Sequence, residues 1–149
     1  MDSIREQVIK QLLLKLQTIT IANGYHFDYG DNANRSILRY DEEEVPAITL
    51  WSGSESTEEA YGYLTRTMNC EIDVFVLQQW NVIDDVIVNQ IIADIQLCIS
   101  INTPSFNDLI TNILELNSDP ILPENGSKLI AAKLSYSINY QTKNNPYKQ

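Results

Sequence analysis

The sequence predicts an α+β domain: a mostly antiparallel sheet with two main helices packed on one face. Three observations predict it. From Ile130 to Tyr140 every second residue is apolar (Ile130, Ala132, Leu134, Tyr136, Ile138, Tyr140), the period of a strand with one buried face. The stretch from Tyr63 to Leu77 alternates in the same way, with Leu64, Met68, Cys70, Ile72, Val74 and Val76 set against Thr65, Thr67, Asn69, Glu71 and Asp73. Two further segments repeat at the helical period instead, one near the N-terminus and one in the 80s and 90s.

The first helix opens at Ser3. Ser3 and Glu6 form a capping-box pattern, and Ile4, Val8, Leu12, Leu16 and Ile19 follow at helical spacing, widened by Leu13. Asn23-Gly24 stops it, because glycine accepts the left-handed conformation that ends helices. Tyr25 to Asp28 then reads as the start of a strand, Gly30 to Asn34 as a turn cluster, and Arg35 to Tyr40 as a second strand. An acidic run, Asp41-Glu42-Glu43-Glu44, precedes Val45-Pro46. Proline cannot donate to a central ladder, so Pro46 is expected to open the next strand, continued by Ala47 to Trp51. Ser52 to Glu59 has no apolar periodicity and reads as a polar, acidic loop.

After the strand at Tyr63–Leu77, in which Arg66 breaks the apolar phase, Asn81 or Asp84 is expected to cap the second helix. It runs to about Ile101, with Val82, Val86, Ile91, Ile92, Ile95 and Ile99 as its apolar positions. β-Branched residues lower its helix propensity, but length and spacing favour helix. Thr103-Pro104-Ser105 reads as a break, Phe106 to Ile110 as a short turn of helix, Ile113 to Leu116 as extended, and Asp119 to Gly126 as a loop. The closing strand runs into a short polar tail, residues 143–149. No internal repeat or second domain is visible, so the expectation is a single domain over 1–149.

Composition narrows the function classes. The chain is 44% hydrophobic and 20% charged, as a globular core requires, and no apolar run approaches the roughly 20 residues that cross a membrane. Asp2 and Glu6 stand where a signal peptide would be basic, so a protein made and kept in a cytoplasm is expected. The net charge of −10 and the scattered basic residues disfavour groove or phosphate binding to nucleic acid. The same surface suits a protein that sits near nucleic acid without holding it. Cys70 and Cys98 lack metal-ligand spacing, and buried thiols are favoured over a disulfide.

Few residues suggest chemistry. His26, the single histidine, is a candidate general base, alone or with Cys70, Cys98 or a carboxylate; the competing reading is a partly buried strand residue beyond a helix end. Asp41 to Glu44 and Asp84-Asp85 lack the spacing of a calcium loop or a His-carboxylate site. They read as solvated acids, the second pair complementing a helix N-terminus. No serine sits in a nucleophile elbow, and no glycine cluster makes a phosphate loop. No catalytic, cofactor or metal residue is assigned. Trp51, Trp80 and the eight tyrosines are interface candidates, with Tyr61, Tyr63 and Tyr147 expected to be exposed.

Several landmarks in order carry a resemblance. These are Ile19-Thr-Ile-Ala-Asn-Gly-Tyr25, the acidic stretch into Val45-Pro46-Ala-Ile48, Trp51-Ser-Gly-Ser-Glu-Ser, and the strand from Arg66 to Val76. The helix ending Ile92-Ala-Asp-Ile-Gln-Leu97 and the closing Tyr136-Ser-Ile-Asn-Tyr140-Gln-Thr142 with Asn145-Pro146 complete the set. Together they resemble the tail terminator, or tail completion, proteins of long-tailed bacteriophages and prophages, over essentially the whole chain. The resemblance implies an α+β subunit of a hexameric ring that caps the tail tube, stops its polymerisation and offers a docking face to the head or neck connector. It implies a virion location, assembly in the host cytoplasm, no enzyme activity, and a lumen that DNA passes without specific binding. By position, the expected contacts are Asp41, Glu42, Glu43, Glu44, Glu55, Glu58, Glu59, Tyr61, Tyr63, Lys143 and Tyr147. Neighbouring neck or head–tail joining proteins remain an alternative, as do a small adaptor that binds a peptide along a sheet edge and a small enzyme built on His26. Deletion of residues 143–149 is expected to spare the fold and weaken assembly.

Overall fold

A computed structural model of the chain describes residues 2–102, 109–123 and 126–143. Two helices, α1 (Ile4–Leu16) and α2 (Asp84–Asn102), pack against one face of a five-stranded sheet. The strands are β1 (Ala33–Arg35), β2 (Ala47–Ala60), β3 (Tyr63–Leu77), β4 (Asn112–Ile121) and β5 (Leu129–Lys143), in the spatial order β1-β2-β3-β5-β4. Only the short β1–β2 pairing is parallel; the other three are antiparallel. The expected α+β architecture is the one observed.

The sheet centres on β3 and β5, paired without a break from Tyr63↔Lys143 to Leu77↔Leu129. Their alternating apolar residues meet the helices, and Ile72, Val74, Ile130, Leu134 and Ile138 are fully buried. The buried alternation of β5 extends past Tyr140 to Thr142, whose hydroxyl accepts from Arg66 Nε at 3.2 Å. At Ser3 the hydroxyl caps α1 by accepting from the Glu6 N–H at 3.1 Å. The Glu6 carboxylate is bound by Arg35 at 2.5 and 3.1 Å, and this pairing holds it below its ordinary pKa.

Four expectations are corrected. Tyr25 to Asp28 is not a strand. Its backbone is bound outside any ladder: the Tyr25 N–H donates to the Thr20 carbonyl at 3.2 Å and the His26 N–H to the Asp94 carboxylate at 3.0 Å, while the Asp28 side chain accepts from the Ile21 N–H at 2.7 Å. The strand placed at Arg35 to Tyr40 is instead Ala33–Arg35. Ser36, at φ 58°, ends it, and the chain crosses the face away from the helices, where the buried Tyr40 packs on Phe75 and donates to the Ile48 carbonyl at 2.7 Å.

The polar stretch Ser52 to Glu59 is strand, not loop. β2 bulges between Ser52 and Glu55, then pairs regularly with β3 as far as Ala60↔Tyr63. Tyr61 and Gly62 close the hairpin with φ of 50° and 81°, the left-handed pair whose twist matches two antiparallel strands. Cross-strand polar pairs, not burial, hold this extension, so apolar periodicity is absent from it. Lastly, Asp119 to Ile121 belongs to β4, which tolerates Pro120 because it is an edge strand.

In α2 the buried stripe is Ile87, Val88, Ile91, Ile95, Cys98 and Ile99, whereas Val82 and Val86 face outward. The helix begins at Asp84, and Asn81 (φ 66°) belongs to the turn before it. The break at Thr103-Pro104-Ser105 and the helical turn from Phe106 fall on 103–108, outside the described residues. Among the described residues, no helix is long and apolar enough to cross a membrane.

Candidate interaction surface

Beyond the bulge, β2, β3 and the end of β5 continue as a three-stranded arm tipped by Tyr61 and Gly62. β1 covers only Ile48 to Leu50, so among the described residues the arm has no fourth strand on the β2 side. A polar cluster ties its base to α1. The Glu55 carboxylate accepts from the Tyr140 hydroxyl and lies 3.5 Å from Arg5 Nη1 and 3.6 Å from Arg66 Nη1. Arg5 Nη2 donates to the Gly53 carbonyl at 2.6 Å, and Arg66 Nη1 donates to Thr57 Oγ1 at 3.2 Å. Arg5, Glu55, Arg66 and Tyr140 line a cavity of about 160 Å³ with Ser3, Ile4 and Thr142. Burial and the Glu55 carboxylate raise the Tyr140 pKa, so the hydroxyl stays a donor at neutral pH. A charge-assisted, multiply bonded brace of this kind fixes the arm's direction.

The structure brings several of the expected contact residues together here. Tyr61 is fully exposed, Tyr63 is about half exposed (48%), and Glu58 and Glu59 are exposed beside them. Lys143, the last residue of β5, is the register partner of Tyr63. Glu55 lies on the same arm, held in the brace. Asp41 to Glu44 are elsewhere. Glu42–Glu44 form an exposed 3-10 turn in which Glu44 Oε1 accepts from the Asp41 N–H at 2.9 Å. Glu42 accepts from the Lys128 N–H at 3.3 Å, at the Leu77↔Leu129 end of the sheet. The acidic turn and the arm tip thus occupy opposite ends of β3. Tyr147 lies outside the described residues.

A second polar centre was not visible as a site in the sequence. Asp94 sits on the buried stripe of α2 and is 2% exposed. It accepts from the His26 N–H at 3.0 Å and from the Tyr29 hydroxyl at 3.1 Å, and His26 Nδ1 lies 2.6 Å from its Oδ1. Burial, then the Asp94 charge, pushes the Tyr29 hydroxyl well above its ordinary pKa. One turn along, Cys98 Sγ donates to the Lys15 carbonyl at 3.3 Å. Burial and Cys98 raise the Tyr25 hydroxyl to about 12. The readable signal was spacing: Asp94 falls between Ile91 and Ile95, both buried, and an acid there requires partners.

Chemically, the pair holds the His26 ring by one nitrogen and ties the 25–29 segment to α2. Cys70, the other thiol considered beside it, is buried and pushed up to about 12, so it is a thiol at neutral pH. Both cysteines are buried, and neither is in a disulfide. Among the described residues, no group of three or more His, Cys, Asp or Glu side chains is arranged to hold a metal ion.

On the opposite sheet face, Asp73 lies 8% exposed beside Glu71. Burial, followed by the hydrogen bond and charge of Glu71, raises Asp73 to about 7; Lys133 and Trp51 oppose the rise. Asp73 Oδ1 is buried without a hydrogen-bond partner, and protonation converts Asp73 into a donor toward Glu71. No protein-family model matches the chain, and no curated protein matches it.

Proposed function

We propose that this chain is a structural subunit of a long-tailed phage or prophage particle, a tail terminator whose ring caps the tail tube, stops its growth and presents a docking face to the head or neck connector. The observation that carries the reading is the braced arm. It projects two tyrosines and two glutamates beyond the core, with Lys143 alongside, on a stiff three-stranded support. Large, low-entropy aromatic side chains on a rigid element suit a protein that works by contact. The net charge of −10 agrees with a ring that lets DNA pass without binding it. In this reading the partners are other copies of the chain, the tube protein and the connector, and the protein acts in the virion without cofactor or catalysis.

The test is a tube-growth assay. Polymerising tube protein from the same genome is mixed with this chain and imaged by electron microscopy. Short tubes, each carrying a ring of density at one end, are expected. Unchanged tube length with bare ends would remove the reading.

One observation favours a second reading, a small enzyme using His26: the 2.6 Å contact with a buried carboxylate is how a general base is oriented. His26→Ala decides between the two. If particle assembly survives the substitution, the pair is structural.

A further inference from the structure

The sheet face away from the helices carries a groove that the arm does not use. Trp51, Glu71 and Ser135 are register partners across β2, β3 and β5, so they stand in one row on that face. With Asn69 and the exposed Leu116 they line a cavity of about 360 Å³. The next row along the strands is Thr49, Asp73 and Lys133. There the buried Asp73 leaves Oδ1 without a hydrogen-bond partner. The groove thus combines an indole, a carboxylate in its lining and a second carboxyl behind that one. Such a site suits a cation with a flat face to stack as well as N–H groups to donate. A guanidinium has both, whereas an ammonium has no face to stack. Leu116 adds apolar surface for the aliphatic stem.

The chain itself presents such a group. Of its four arginines, Arg5 and Arg66 are held by Glu55, and Arg35 by Glu6. Arg39 is exposed, and among the described residues no acid pairs with it. Leu38 beside it is 88% exposed. The backbone is pinned on both sides of this pair. The Ile37 N–H donates to Thr49 Oγ1 at 2.9 Å, and the Tyr40 hydroxyl donates to the Ile48 carbonyl at 2.7 Å. Leu38 and Arg39 therefore project from a short anchored loop, and little loop ordering opposes their docking. The charges that act on Asp73 within its own copy are those of Glu71 and Lys133, not Arg39. A neighbouring copy can bring its Arg39 to the groove instead.

Resting on the ring reading above, we infer that the Trp51–Glu71 groove is a guanidinium site and that Arg39 of a neighbouring copy fills it, stacked on Trp51 and bonded to Glu71, with Leu38 set on Leu116. The contact is heterologous, as a closed ring requires, since each copy gives a loop and receives one.

The site is tested on the full chain with Trp80→Phe, which leaves Trp51 as the single tryptophan. Its fluorescence is followed as ethylguanidinium chloride is added, with ethylammonium chloride at equal ionic strength as the control. Saturable binding is expected, about fivefold tighter for the guanidinium, and it should be lost in Glu71→Gln. No saturation, or an equal response to both cations, overturns the site. The occupant is tested by sedimentation of the chain at concentrations up to about 1 mM. Arg39→Gln, Arg39→Lys and Glu71→Gln should each weaken self-association about tenfold. Arg39→Gln combined with Glu71→Gln should weaken it no further, because both remove one contact. A chain that stays monomeric, or losses that simply add, overturns Arg39 as the ligand. Caps on tubes are counted separately by native mass. Six-copy caps formed normally by the double variant end this inference and leave the ring reading intact. Association that depends on Arg39, with no cap on any tube, does the reverse.

Discussion

Tyr63 in β3 and Lys143 in β5 are register partners, so a hairpin and the end of the last strand meet at one tip although 80 positions separate them in sequence. The pairing makes the arm three strands wide up to the turn that carries the exposed Tyr61. Arm geometry and core stability are therefore separable, and substitutions at the tip should show it.

Tyr61→Asn tests that separation. Asn tolerates the left-handed φ of 50° at this position, and the side chain is fully exposed. Unfolding in urea should move by no more than about 0.5 kcal/mol. Capping of tubes should weaken clearly. Normal capping by this variant would take the tip out of the interface.

Gly30 is the reverse case. A Cβ there would stand 2.4 Å from the Gln17 carbonyl oxygen, while the Gly30 N–H donates to the Ile19 carbonyl at 2.7 Å. Backbone faces backbone, so nothing can rotate aside. Gly30→Ala should cost about 3 kcal/mol. Gly24→Ala, at φ 95° in open space, should cost only about 1 kcal/mol. Denaturant midpoints of the two variants give the comparison.

Asp94→Ala should be among the most damaging substitutions in the chain, at about 3 kcal/mol, because it strands the buried Tyr29 hydroxyl and the His26 N–H together. His26→Ala keeps the other two bonds to Asp94 and removes a ring that is about half exposed (48%), so about 1 kcal/mol is expected. Equal losses for the two variants would contradict this account of Asp94 as the centre of the cluster.

Asp73 predicts a pH dependence. Its carboxyl, raised to about 7 in the fold, titrates near its ordinary value of 3.8 when unfolded. Between these values the folded state holds a proton that the unfolded chain has released, so stability falls as pH rises toward about 7 and levels off above it. Glu6 acts oppositely: Arg35 lowers its pKa, and that contribution is lost on acidification. Asp73→Asn, an uncharged amide of similar shape, should flatten the decline between pH 5 and about 7. Thermal melts of both proteins across this range provide the measurement. A parallel pair of curves would show that Asp73 does not hold the proton.

The central strands and both helices were legible because burial writes a period into the sequence: β3 matches its predicted span, β5 and α2 match closely, and α1 starts as expected but ends at Leu16, before the Asn23-Gly24 stop, which closes a separate 3-10 turn instead. What escaped prediction lacks that signature. The outer half of β2 is held by pairs such as Thr57 and Arg66 with no apolar face, so it looked like loop, and only the Tyr61-Gly62 turn hinted otherwise. Tyr25 to Asp28 looked like strand because its aromatic residues are locally β-forming, but the Tyr25 N–H is bound by the Thr20 carbonyl and the His26 N–H by Asp94. The brace escaped for a related reason. Arg5, Glu55, Arg66 and Tyr140 come from four elements, and none has a local pattern that announces the others.

The most direct test of the ring account is native mass spectrometry of the cap released from tubes grown with this chain. Six copies per cap are predicted. A different copy number, or a chain that never leaves solution for the tube at any concentration, would contradict it.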